Sequence, residues 1–210
     1  MRGKGSARLG LGLLALAIVF STTVAHAATV TFSGISATDG NDAAGFDVSA
    51  TAAVGNTLNL GVLPFSITSA GGLPVTMSDA LLLTVTAPAG WKIASLTYAE
   101  SGTYDASGGF VAATTQMLVN GAGPAPGGTT HFGSFGGWGP LGQMVDLSAG
   151  TVTNATVSIS NQLFAANVAT VSKSSATLVA ALVAVPVPPA FWMMGGALVA
   201  LAAVRRRVAQ

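Results

Sequence analysis

Short runs in which apolar and polar side chains alternate, punctuated by Gly, Pro, Asn and Asp, restrict the fold of this chain more than any other feature. In residues 29–35, Val30 and Phe32 alternate with Thr31 and Ser33. In 57–62, Leu58, Leu60 and Val62 share a face, and Phe65 and Ile67 continue the pattern after Pro64. The run 80–86 ends at the turn signal Ala87-Pro88-Ala89-Gly90 and is followed by 91–98. Further runs cover 110–119, 151–160 (with Val157 and Ile159 inward), 168–172 and 176–185. Residues 161–168 read equally as a short helical turn or as another strand. A two-residue period rich in β-branched and aromatic residues is the signature of strands. No 12-residue amphipathic stretch with convincing caps interrupts it, which argues against an α/β fold. Some eight to ten short strands predict an all-β body, an antiparallel two-layer β-sandwich of jelly-roll or Ig-like type.

Both ends depart from this pattern. Arg2, Lys4 and Arg8 precede 12 apolar residues, Leu9 to Phe20, and Ala25-His26-Ala27 follows. A basic start, a short apolar core and small residues at Ala25 and Ala27 make a signal peptide, cut after Ala27 by signal peptidase. A retained anchor would need a longer apolar core. At the other end, Pro186, Pro188 and Pro189 fix φ and remove three backbone donors, so neither a helix nor a central strand runs through them. The next 14 residues, Phe191 to Val204, carry no charge. As a helix they would reach about 21 Å at 1.5 Å per residue, against a hydrocarbon core of about 30 Å. Ala190 and the stems of Arg205, Arg206 and Arg207 narrow that gap by snorkelling. A buried helix has no use for three terminal arginines, so the segment is expected to cross the membrane with the arginines in the cytoplasm.

The order of these C-terminal parts resembles the PEP-CTERM class of sorting signals, in its Val-Pro-Leu-Pro-Ala variant. The matching residues are Val185, Pro186, Val187, Pro188, Pro189 and Ala190, with Arg205, Arg206 and Arg207 as the charge stop. The chain lacks the Glu that the main form carries between its prolines, and Pro189 stands at or before the variant's alanine. The resemblance covers about the last 25 residues. It implies transient residence in the inner membrane of a Gram-negative bacterium that makes exopolysaccharide. It also implies recognition and cutting by an exosortase-like membrane peptidase, then export to the surface or the extracellular matrix. A tail that is never cut is the alternative. The expected organisation is a signal peptide (1–27, helical), a β body (28–184), a proline-rich motif (185–190), a transmembrane helix (191–204) and a basic cytoplasmic tail (205–210).

Removing the ends changes the charge. Seven acids (Asp39, Asp42, Asp47, Asp79, Glu100, Asp105, Asp146) and two bases (Lys92, Lys173) give residues 28–184 a net charge of −5. Two bases neutralise almost no phosphates, so nucleic acid is excluded as a partner of the body. The absence of cysteine excludes disulfides, thiolate zinc sites and thiol catalysis.

Other chemistry is sparse. His131 is the one histidine of the body, and a triad with Asp146 has no nucleophile elbow to support it. Glu100 and Asp105, expected to flank a hairpin across Gly102, are the nearest approach to a glycosidase pair, but turns collect acids anyway. Asp39, Asn41, Asp42 and Asp47 offer oxygen ligands that would suit Ca²⁺, although Ala43 and Ala44 break the EF-hand pattern; a solvated acidic turn is the plainer alternative. No cofactor is expected.

Residues 121–142 hold nine glycines and three prolines around His131, Phe132, Phe135 and Trp138. They are expected to form a long surface loop, with a ligand-facing or self-associating loop as alternatives. The resulting expectation is an exported, non-catalytic surface or biofilm-matrix protein. Its rival is a carbohydrate-binding module, in which Trp91, Phe132, Phe135 and Trp138 stack on sugars of an exopolysaccharide.

Overall fold

Alternation becomes structure here with few breaks. A computed structural model describes residues 28–39, 45–62 and 65–186. Nine strands account for most of them: β1 (Thr31–Asp39), β2 (Phe46–Val54), β3 (Thr57–Val62), β4 (Phe65–Ala70), β5 (Val75–Thr86), β6 (Trp91–Val119), β7 (Gly127–Phe132), β8 (Phe135–Asp146) and β9 (Asn154–Ala184). All pairings are antiparallel, and no helix occurs among the described residues. The body is therefore all-β. The signal segment with Ala25 and Ala27, the residues Asn41 and Asp42, and everything from Val187 onward lie outside the described residues. The expected signal and transmembrane helices and the Arg205–Arg207 stop fall there.

Two very long strands form the spine. β6 and β9 pair from Trp91↔Ala184 to Val119↔Val157. Along the other edge of β9, β5, β4 and β3 follow one another, pairing with 154–165, 168–173 and 176–179. The other edge of β6 carries β8 and then β7. β1 lies outside β5 and β2 outside β3. These two edge strands approach each other, so the sheet is nearly closed.

The spine folds back on itself, and local residues permit it. The β6–β9 register slips between Asp105 and Gly108. Opposite this slip, Asn167 takes a left-handed φ of 60°, which Asn tolerates better than most residues. A Cβ on Gly109 would overlap the Ala166 carbonyl, so the two backbones meet closely only because no side chain intervenes. Runs expected as separate elements thus merge: 91–98 and 110–119 belong to β6, and 161–168, 168–172 and all but the ends of 151–160 and 176–185 to β9, which begins at Asn154 and ends at Ala184.

Folding back puts both halves of the spine around one core. Met117 and Val119 from the end of β6, with Val157 and Ile159 of β9 and Leu81 and Leu83 of β5, share an apolar cluster with Leu96 and Tyr98 from the start of β6, Leu178 of β9 and Leu58 of β3. Each such aliphatic side chain contributes about 1.5–3 kcal/mol by leaving water. A second cluster near the bend gathers Phe65, Ile67, Val111, Ala113, Trp138, Leu163 and Val171.

The glycine-rich segment 121–142 is not one long loop. It forms the end of the β6–β7 connection, β7 and most of β8. Its glycines serve close packing: Gly136 lies under the ring of Tyr104, and Gly128 against Thr114. Gly102, opposite Trp138, leaves room for the indole, since a Cβ there would reach its ring at 2.5 Å.

Candidate functional site

Between the two apolar clusters the interior turns polar. Six inward-facing positions at this level are polar. Asp79 lies between Met77 and Leu81, Thr115 between Ala113 and Met117, and Asn161 between Ile159 and Leu163. Glu100 follows Tyr98, Lys173 follows Val171, and Gln143 separates Leu141 from Val145. All six are buried. Asp79, Asn161 and Thr115 are direct cross-strand neighbours on β5, β9 and β6. Because β6 and β9 fold back, Glu100 and Lys173 arrive opposite them.

Lys173 Nζ lies 3.3 Å from Glu100 Oε2, with side-chain exposures of 0% and 2%. Tyr98 donates its hydroxyl to the same oxygen at 2.7 Å. Nζ is a donor only, so the Asn161 atom facing it is the amide oxygen, 2.5 Å away. In that orientation the Asn161 amide nitrogen donates to Glu100 Oε2 at 3.1 Å and to Thr115 Oγ1 at 2.8 Å. Phe46 and Phe65 wall the ammonium, their ring centroids 4.1 and 4.9 Å from Nζ. Asp79 Oδ2 accepts from Phe46 N–H at 2.9 Å, which fixes one of those rings. Gly45 makes this contact possible, since a Cβ on it would collide with the Asp79 carboxylate. Gln143 closes the other side, accepting from Met117 N–H and donating to the Thr115 and Ala125 carbonyls.

Burial sets the protonation tendencies. Desolvation lowers the Lys173 pKa, against the attraction of Glu100 and Asp79. Desolvation likewise raises that of Glu100, opposed by Lys173 and the Tyr98 hydrogen bond. Each shift moves its group toward the uncharged form. An amine, an amide and a carboxyl group thus share a space that excludes water. That combination supports proton exchange between Lys173 and Glu100.

Sequence patterning missed this cluster, although the signal exists. Each member is a polar residue at an inward position of an alternating run, as Asn161 is after Val157 and Ile159.

The residues expected to carry function are dispersed. Glu100 and Asp105 do not flank a hairpin: both are in β6, Glu100 buried and Asp105 exposed. Asp105 accepts from the Ser107 hydroxyl and N–H instead. Asp146 engages Ser148 N–H at the end of β8, whereas His131 of β7 stacks on Tyr104 with centroids 3.9 Å apart. Of the four proposed calcium ligands, Asp47 turns its carboxylate to Ser49 and Ala50 within its own strand. Asp39 is described at its backbone, opposite Asp79 in β5.

The four aromatic residues separate into two kinds. Trp138 is 3% exposed, and its Nε1–H donates to the Ser172 carbonyl, so it is a core residue and not a surface platform. Trp91 is half-buried against the first cluster. Phe132 and Phe135 are exposed at 68% and 80%. Phe132 extends an aromatic row across three strands: Phe164, Phe110 and Phe132, with centroids 5.1 and 5.4 Å apart. On two of those strands, β9 and β6, together with β5, a groove of about 410 Å³ opens beside Ser78, Ser160, Gln162, Gln116 and Pro126. Ser78, Ser160 and Gln162 are exposed there, next to the exposed ring of Pro126.

No protein-family model matches this sequence, and no curated protein matches it.

Proposed function

We propose that this chain is an exported, non-catalytic protein of the cell surface or exopolysaccharide matrix, with a C-terminal tail addressed to an exosortase-like membrane peptidase. One observation carries the reading. The sheet ends at Ala184, and Val185 makes a last backbone bond by donating its N–H to Gly90 O. Pro186 is exposed beyond it. The proline motif therefore begins where the described sheet ends, and a segment whose prolines cannot join a ladder offers a peptidase a backbone that is taken without unfolding a strand. We further read the nearly closed sheet as a sandwich made by one continuous sheet bending over its own core. Fractionation with intact-mass measurement tests the proposal. The mature protein should be found outside the cytoplasm, beginning near Ala28 and ending near the prolines. Cytoplasmic protein retaining residues 1–27, or a steady-state mass that includes Phe191 to Gln210 in cells with active sorting, overturns it.

A second reading, binding of a neutral polysaccharide, is favoured by the Phe164–Phe110–Phe132 row beside a groove where Ser78, Ser160 and Gln162 are exposed next to Pro126. Sugars present apolar ring faces and hydroxyl edges, and this surface offers partners for both. Titration of the exported protein with exopolysaccharide of the producing cells should saturate and should weaken on Phe132→Ala. Absence of binding discards this reading and leaves the first intact.

A further inference from the structure

We propose that Lys173 and Asn161 become joined by an amide bond that the folded chain forms by itself, with Glu100 carrying the protons. Three groups are needed for such a bond: an amine freed of its proton, an amide carbon held still beside it, and an acid–base group touching both. All three are present at hydrogen-bond distance. Lys173 Nζ lies 2.5 Å from the Asn161 amide oxygen, and Glu100 Oε2 lies 3.3 Å from Nζ and 3.1 Å from the Asn161 amide nitrogen. An amine this close to an amide oxygen stands beside the carbon behind it, and the reaction requires only that it settle at the roughly 3–3.5 Å of a near-attack geometry.

The step balances without any further reactant. Glu100 takes a proton from the Lys173 ammonium, and the freed Nζ lone pair attacks Asn161 Cγ. Protonated Glu100 steadies the oxygen that gains charge as Nζ–Cγ forms. A proton leaving Nζ returns through Glu100 to Nδ2, the Cγ–Nδ2 bond breaks, and ammonia departs. The proton that Glu100 first took from the ammonium leaves with the departing ammonia, as ammonium, and Glu100 ends as it began. The shifts caused by burial favour the first transfer, since both Lys173 and Glu100 are moved toward their uncharged forms. Phe46 and Phe65 keep out the water that would compete for the amide carbon.

The product has a structural sense. Lys173 and Asn161 lie on the two halves of β9, on either side of the bend at Asn167. The new bond would span the interior and lock the fold-back of the spine, in a chain with no cysteine for disulfides.

Trypsin reads the bond directly. The body has two tryptic sites, Lys92 and Lys173, and the next basic residue is Arg205. In the folded protein purified from producing cells, then denatured and digested, cleavage after Lys173 should be lost. The fragment that begins at Ile93 should run past Ser174 and weigh one ammonia less than its sequence. Fragmentation should give a branched peptide joining Lys173 to residue 161. In Glu100→Gln, cleavage after Lys173 should return and the ammonia should be retained. Complete cleavage after Lys173 in the wild-type protein, with a fragment 93–173 of unmodified mass, overturns the proposal whether or not the variant folds. Loss of ammonia with Lys173 still cleavable points to cyclisation at Asn161 alone and overturns it too.

Discussion

Tyr98 and Glu100 stand two residues apart on one strand, so their side chains emerge on the same face, and the tyrosine hydroxyl donates to Glu100 Oε2 at 2.7 Å. Both are buried. Two further donors, Lys173 Nζ and the Asn161 amide, converge on the same oxygen. Tyr98→Phe keeps the ring and deletes one donor. Stability should fall by about 1–3 kcal/mol, the cost of leaving a buried acceptor short of a partner. Urea unfolding should show a lower midpoint with an unchanged slope.

The alternation of residues was sufficient to read an all-β, antiparallel body, because a period of two survives in runs such as 80–86 and 110–119, though not in β2, whose residues are mostly exposed. It did not reveal the lengths of β6 and β9. A strand that bends by register slip at Gly108 and left-handed Asn167 keeps its ladder, whereas the same residues in a sequence spell a turn. The 121–142 segment misled for a related reason. Glycine there answers bulky neighbours on other strands, Tyr104 over Gly136 among them, and sequence order does not show those neighbours. Trp138 is the sharpest case: Gly102 and Ser172, which make room for it and accept its N–H, lie 36 and 34 residues away. The polar cluster was half legible. Its members break the apolar side of their runs, but only the fold-back brings Lys173 to Asn161.

Lys173 and Glu100 should be costly to separate and cheaper to remove together. Lys173→Met leaves a buried carboxylate without its cation, at a cost of roughly 3–5 kcal/mol. The double variant Lys173→Met/Glu100→Leu should recover part of that loss. Both lack the proposed cross-link, so their difference isolates the stranded charge. Equal midpoints for the single and double variants would refute a strongly coupled pair.

Acid sensitivity should come from the exposed aspartates. Asp47, Asp105 and Asp146 each accept from a serine two residues on, and these bonds hold their pKa values below the ordinary carboxylate value. A carboxyl group depressed in the folded state contributes stability above its unfolded pKa of about 3.9, and that contribution is lost as pH falls through the folded values. The three together should leave stability unaffected by their titration above about pH 5 and lower it progressively below about pH 4. Replacing all three with Asn should flatten that acid limb, measured as urea midpoints across the pH series. An unchanged slope would assign the acid response to other groups.

The exposed and buried aromatics of the glycine-rich segment should respond in opposite ways. Phe135 is 80% exposed, so Phe135→Ala should alter stability by no more than about 0.5 kcal/mol. Phe132→Ala gives up its contact with Phe110, worth about 0.5–1.5 kcal/mol, and leaves the core untouched. Trp138→Ala removes an indole packed over Gly102 and the hydrogen bond it donates to the Ser172 carbonyl, for about 3–5 kcal/mol. Polysaccharide binding should follow the exposed pair. If Phe132→Ala abolishes binding at an unchanged circular dichroism spectrum, the surface row is the platform. Should binding fall only with Trp138→Ala, and in step with its unfolding midpoint, the effect is loss of fold, and the aromatic row has no part in recognition.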